Sequence, residues 1–140
     1  MNKKPKTTSF DAENAGCFGD ILTAPPPRRA PVVGVLGLGY FEYWRMYPAL
    51  EAQVRRDLKG AVTRLTKALA GAEIVYPGMV DTLDRAQEAG EAFRLAGVDV
   101  LVVMAGTYLP DFITLHAINA CTTRPQVILF NTQTGNDVNP

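Results

Sequence analysis

The chain has 140 residues, and its 14 basic and 14 acidic side chains give a formal net charge of zero. This length predicts one domain with a real hydrophobic core, and the charge balance provides no field for binding nucleic acid or an anionic membrane. No apolar run approaches the roughly 20 residues of a membrane span, and no secretory signal follows the N-terminal lysines. Two cysteines are too few for a disulfide framework, which favours a reduced, cytoplasmic protein.

Residues 1–30 are predicted to form a flexible arm that ends in a stiff, proline-rich linker at residues 25–29. An α/β domain is expected over residues 31–140. It opens with a buried strand at residues 32–36, a glycine-containing turn at residues 37–39 and a long helix that begins at Pro48. The turn runs into five aromatic residues, which are Tyr40, Phe41, Tyr43, Trp44 and Tyr47. We expect this strand-exit loop to face a ligand or an interface.

The later elements alternate between strand and helix. Strands are predicted at residues 72–76, 98–104 and 127–130, with Asp81 and Asp111 as N-caps of the helices between them. The order β-α-β-α-β-α-β predicts a three-layer, flavodoxin-like or Rossmann-like domain around a parallel sheet. Because no closing helix follows the fourth strand, the domain is expected to be incomplete at its C-terminus.

The residues offer little chemistry for catalysis. Glu42 stands where a dinucleotide-binding G-x-G-x-x-G loop would need its third glycine, so this loop is not predicted to bind a nucleotide. His116 has no metal-ligand neighbours at suitable spacing, and Cys121 is better interpreted as a buried thiol than as a nucleophile. We therefore predict no catalytic residue and no metal site in this chain.

Polar and aromatic side chains follow three of the predicted strands, and we expect them to meet at one edge of the sheet. Hydroxyls and amides at such a rim can orient a polyol, although the same residue types also serve ordinary turns. The aromatic cluster is equally consistent with core packing or a protein interface. The predicted substrate-binding residues are Tyr40, Glu42, Tyr43, Thr107, Tyr108, Asn131 and Gln133.

The strand ends at residues 35–40, 102–110 and 125–133 resemble the N-terminal domain of the L-fucose/L-arabinose isomerase family. The Thr132-Gln133 pair is similar to the arabinose-type branch, in which the preceding position, here Asn131, is commonly histidine. The resemblance implies an aldose–ketose isomerase that uses a divalent metal, typically manganese, held by later domains. It also implies that this domain helps to close the substrate pocket of an adjacent subunit in a trimer or hexamer, and that the seven predicted residues are rim positions.

The leading hypothesis is therefore the N-terminal domain of a sugar ketol-isomerase that is inactive alone and binds no cofactor itself. Its expected partners are a small-molecule sugar, the remaining isomerase domains and adjacent subunits. The alternative is a stand-alone sugar-binding or protein-interaction module with a flavodoxin-like fold.

Overall fold

The computed structural model of the protein describes residues 29–131. The predicted N-terminal arm, apart from its last two residues, and Gln133 lie outside this range. The strands are β1 (Val32–Leu38), β2 (Glu73–Val75), β3 (Met79–Val80), β4 (Val100–Ala105) and β5 (Gln126–Asn131). The helices are α1 (Phe41–Met46), α2 (Pro48–Ala68), α3 (Leu83–Ala96) and α4 (Asp111–Ala120).

All strand pairs are parallel, in the order β2–β1–β4–β5, and β3 also pairs with β1. This confirms the predicted three-layer α/β fold with a parallel sheet. The second predicted strand, at residues 72–76, corresponds to β2, whereas β3 was not predicted. The two are separated because Pro77 cannot donate a ladder hydrogen bond and Gly78 adopts a positive φ of 108°. With β2 and β3 counted as one divided strand, the order is second, first, third, fourth, which is the flavodoxin-like order.

Two boundaries near the start of the domain differ from the prediction. The first strand continues through Gly37 to Leu38, because Gly37 and Leu38 pair with both β3 and β4. The expected aromatic loop contains the six-residue helix α1. A pattern of aromatic residues has no clear helical period over so short a length, so this helix was not predictable from periodicity.

The sheet separates two apolar cores. Helix α2 buries Val54, Leu58 and Ala61 against one face, while α3 and α4 cover the other with side chains such as Phe93 and Ile113. Residues of β1 alternate between the two cores, as the twofold period of a strand requires. Helices α3 and α4 pack so closely at Gly90 that a Cβ there would collide with Ala120.

At the amino end of the sheet, Asp99 connects the start of β1 to the segment before β4. Its carboxylate accepts hydrogen bonds from the backbone N–H of Val32 at 2.8 Å and from the guanidinium of Arg29 at 2.7 Å. The Val32 hydrogen bond has the largest effect and lowers the pKa of Asp99. Desolvation opposes it, and the charge and hydrogen bond of Arg29 lower the pKa further by smaller amounts. The chain thus enters β1 through a contact with the segment that leads into β4.

Helix α3 begins differently from the prediction. Thr82, not Asp81, is its N-cap, and the Thr82 hydroxyl accepts a hydrogen bond from the backbone N–H of Arg85 at 3.3 Å. Gly97 ends the helix in the left-handed conformation, with φ of 64°, which glycine adopts without steric cost. Asp81 is consequently available for a contact elsewhere.

Strand β5 forms the edge of the described sheet, and all six of its residues are exposed. Ile128 and Phe130 lie on the α2 side, in register with Val102 and Met104, while Leu129 lies on the opposite side with 80% of its surface exposed. The strand carries no charge. No helix within residues 29–131 combines the length and the apolar character needed to cross a membrane.

Candidate functional site: a cleft at the strand ends

The connections that leave β1 and β4 depart to opposite faces of the sheet. After β1 the chain continues to α2, and after β4 it continues to α4 on the other side. Because these two strands are neighbours, their carboxyl ends form the topological switch point where open α/β sheets bind ligands. The switch point is therefore the first place to look for a site.

A cleft of about 470 Å³ lies beside this switch point, between the N-terminal half of α2 and the ends of β4 and β5. We call it the switch-point cleft. Its volume is within the range of pockets that hold small molecules. Its lining residues are Leu50, Gln53, Val54, Asp57 and Leu58 from α2, and Ala105, Gly106, Thr107, Tyr108 and Asn131 from the strand ends.

Gly106 sets the close approach of the β4 exit loop to the rest of the domain. A Cβ at this position would lie 2.6 Å from the carbonyl oxygen of Leu38 and 2.6 Å from Cγ1 of Val54. The backbone N–H groups of Gly106 and Thr107 both donate to the same Leu38 carbonyl, at 3.0 and 3.3 Å. Only glycine therefore allows the loop to lie against β1 and α2 while it presents Thr107 to the cleft.

Three of the predicted site residues, Thr107, Tyr108 and Asn131, line the same cleft. The Thr107 hydroxyl donates a hydrogen bond to the carbonyl of Tyr108 at 3.1 Å, which leaves its oxygen lone pairs to accept from a ligand. Tyr108 has two thirds of its surface exposed. These residues form the strand-end wall of the cleft.

The predicted aromatic residues lie next to this wall. The ring of Tyr40 meets that of Tyr108 edge to face, with centroids 6.2 Å apart, and contacts the rings of Phe41 and Tyr43 in the same way at 5.3 and 5.5 Å. Tyr40 and Tyr43 are thus connected to the cleft through Tyr108 without lining it. Glu42 does not line the cleft, and its carboxylate accepts a hydrogen bond from Arg45 at 3.3 Å.

A polar contact fixes the aromatic helix α1 against the sheet. The indole N–H of Trp44 donates to the carboxylate of Asp81 at 2.9 Å, and the guanidinium of Arg55 lies 3.6 Å from the same oxygen. The side chain of Asp81 is 13% exposed, so this is a partly buried contact. Gly39 makes room for it, since a Cβ there would lie 2.7 Å from the Trp44 ring.

Sequence reasoning missed the α2 wall of the cleft. Gln53 and Asp57 are four residues apart and therefore lie on one helix face, each immediately before a core residue. Polar residues beside the apolar stripe of α2 could have indicated a site on this helix. Only the strand order shows that this part of α2 meets the ends of β4 and β5. The predicted rim is thus one wall of a two-walled cleft.

The described lining of the cleft has one acidic side chain and no basic one. Asp57 is the one ionisable side chain besides the Tyr108 phenol among the described lining residues, and none of them is basic. The side chain of Asp57 makes no hydrogen bond or ion pair with any residue of the 29–131 range. Nearby, burial raises the pKa of Tyr76, with a smaller opposing effect of Arg55, but Tyr76 lies outside the cleft.

No group of three His, Cys, Asp or Glu side chains within the described range could hold a metal ion. Asp57 is a single carboxylate in its cleft, and His116 is an exposed residue of α4. Cys121 is buried, as predicted, with its sulfur 3.3 Å from the Thr123 hydroxyl. The described residues therefore do not fit a manganese site.

No model of a known protein family, no curated protein and no solved structure matches the chain.

Proposed function

We propose that this chain is the sugar-binding α/β domain of an aldose–ketose isomerase. It supplies walls of the substrate pocket and contacts to further domains or subunits, while the divalent metal and its ligands belong to other domains. The proposal is motivated by the resemblance of the strand ends to the L-fucose/L-arabinose isomerase family. The switch-point cleft is the feature of the structure that supports it.

The observation that carries the proposal is the composition of the cleft. Thr107 and Asn131 on the strand-end wall face Gln53 and Asp57 on α2, and Leu50 and Tyr108 add apolar surface. Hydroxyl, amide and carboxylate groups can hydrogen-bond the hydroxyls of a sugar, while apolar and aromatic surface suits its C–H faces. With no basic residue among the described lining, the cleft provides no counter-charge for a phosphate or carboxylate. A sugar without an anionic group is therefore the ligand class that best fits this set.

The part of the proposal that concerns further domains or subunits is supported by β5. Its outer edge has apolar side chains exposed on both faces, and it has no charged residue to discourage pairing. A monomeric domain rarely leaves such an edge uncovered. Contact with additional protein at β5 is consistent both with the isomerase and with the alternative, a protein-interaction module.

Titration of the isotope-labelled chain with L-arabinose and L-fucose tests the binding role. With these two sugars, we expect the amide resonances of Gly106, Thr107 and Asn131 to shift in a saturable way. D-sorbitol and sodium acetate serve as the neutral and anionic comparison ligands. A Gln53→Ala variant should bind the sugar more weakly, whereas Gln87→Ala on α3 should not differ from the wild type. Absence of any shift at the cleft with either sugar would refute sugar binding.

Activity measurements test the isomerase assignment separately. The purified chain with Mn²⁺ is expected to show no interconversion of arabinose and ribulose or of fucose and fuculose. Turnover by this chain alone would contradict the assignment of the metal ligands to other domains. Saturable sugar binding by a chain that never associates with isomerase domains would favour the stand-alone module.

A further inference from the structure

Among residues 29–131, the carboxylate of Asp57 has no ion-pair partner and lines the switch-point cleft. We propose that Asp57 makes the cleft a site for hydroxylated amines, so that a protonated amino sugar or aminoalditol binds more tightly than the neutral polyol of the same shape. This inference rests on the proposed function, because it names a ligand class for the same cleft.

The first argument is that no cation among the described residues forms an ion pair with Asp57. The positions one turn away along α2 are Gln53, Val54, Gly60 and Ala61, and none of them is basic. Arg64, two turns on, extends back toward Gly60, where its Nη1 is 3.6 Å from the place of an added Cβ, but it forms no ion pair with Asp57. Arg56 and Lys59 do not line the cleft. No described cation therefore neutralises the carboxylate directly.

The second argument is the neutral wall opposite Asp57. Thr107 lies in the exit loop of β4 and Asn131 ends the neighbouring parallel strand β5. Both line the cleft and can engage hydroxyl groups without adding charge. A ligand that spans the cleft can place its hydroxyls at this wall and its ammonium group near Asp57. An anionic polyol would instead bring a second negative charge close to the same carboxylate.

Electrostatics gives the expected size of the preference. Two opposite unit charges 4 Å apart attract each other by about 1 kcal/mol even in a water-like dielectric, which corresponds to roughly fivefold in affinity. Because Asp57 is exposed, salt should screen this interaction. The preference for the amine should therefore be about fivefold or more at low ionic strength and should decrease in 0.5 M NaCl.

The test compares arabinitol, 1-amino-1-deoxyarabinitol and arabinitol 5-phosphate in titrations of the full chain at neutral pH, monitored by amide chemical shifts. The wild type should bind the amine about fivefold or more tightly than arabinitol and bind the phosphate most weakly. In Asp57→Asn, which keeps the size of the side chain and one acceptor oxygen but removes the charge, the affinities for the amine and arabinitol should become nearly equal. The matched control Asp84→Asn removes a charge from α3, outside the cleft, and should retain the wild-type ratio.

The outcomes separate the two proposals. If arabinitol shifts the cleft resonances but the amine binds no better, or if Asp57→Asn keeps the full preference, the role of Asp57 is refuted and sugar binding remains. If neither arabinitol nor the amine nor the sugars shift the cleft resonances, both proposals fail. Circular dichroism of each variant confirms that the compared proteins have the same fold.

Discussion

Replacing Gly106 with alanine tests whether the β4 exit loop is held where the structure places it. The new methyl group would lie 2.6 Å from both the Leu38 carbonyl oxygen and Cγ1 of Val54. Val54 can adjust, but the Leu38 oxygen belongs to the backbone of β1, a fully buried strand paired on both sides. The loop itself must therefore move.

The expected change in the free energy of unfolding follows from two opposing effects. Overpacking of this kind costs about 1–3 kcal/mol, and loss of glycine freedom in the unfolded chain returns about 0.4–1 kcal/mol. We expect Gly106→Ala to lower the free energy of unfolding by about 1–2 kcal/mol, which is a decrease in Tm of roughly 4–8 °C for a domain of this size. The displaced Thr107 and Tyr108 should also weaken sugar binding.

Gly60→Ala is the matched control, because the same substitution should have the opposite effect. Gly60 is inside α2, and the nearest atom to an added Cβ is Nη1 of Arg64 at 3.6 Å, an ordinary contact. An alanine in a helix interior is favoured over glycine by about 0.5–1 kcal/mol, so this variant should be more stable than the wild type. Urea unfolding followed by circular dichroism gives both values, with unchanged m-values expected. If Gly106→Ala were as stable as Gly60→Ala, the described packing of the loop would be wrong.

Substitutions at two further positions test the polar contacts outside the cleft. Asp81→Ala removes the acceptor of the Trp44 indole, which should lower the free energy of unfolding by about 1.5–3 kcal/mol and shift the fluorescence emission of this single tryptophan. Asp81→Asn keeps an acceptor and should lose less stability. Equal losses in the two variants would contradict the hydrogen bond. Asp99→Asn tests the pH dependence of stability. The folded pKa of Asp99 lies below its ordinary value of 3.8, so its carboxylate stabilises the fold above about pH 4, and this contribution is lost as the pH falls through the folded pKa. The variant should therefore be less stable than the wild type at pH 7, and the difference should decrease as the pH falls below about 4. Thermal unfolding between pH 2 and pH 7 measures this; a difference that stays constant over the whole range would refute the linkage.

Much of the fold was predictable because its signals are local. The apolar residues of β1 and β4 and the three- and four-residue spacing of apolar positions in α2 each indicate an element without reference to the rest of the chain. Long elements bury many side chains, so their patterns are strong. The short elements α1 and β3 depend on contacts with distant parts of the chain: β3 pairs with β1, and Trp44 of α1 donates a hydrogen bond to Asp81. A pattern of two or six residues is too short to predict either element.

The candidate site was predictable only in part, for the same reason. Thr107 and Asn131 were found because strand ends can be located from the sequence, and parallel strands bring their carboxyl ends to one edge. Gln53 and Asp57 were missed because their place opposite that edge depends on how α2 crosses the sheet. Asp81 was interpreted as a cap because a local role was visible and its contact with Trp44, 37 positions away, was not.

The sequence by itself determined the class of the protein: alternating buried strands and amphipathic helices, with polar groups at the strand ends. Hydrophobic periodicity is sufficient for this, because burial acts on each segment separately. The tertiary structure alone decided that β4 lies between β1 and β5, that β5 exposes both faces among the described residues, and that Asp57 faces Thr107 and Asn131. Strand order and helix placement depend on contacts between distant segments. Periodicity within one segment does not indicate which distant segments it contacts.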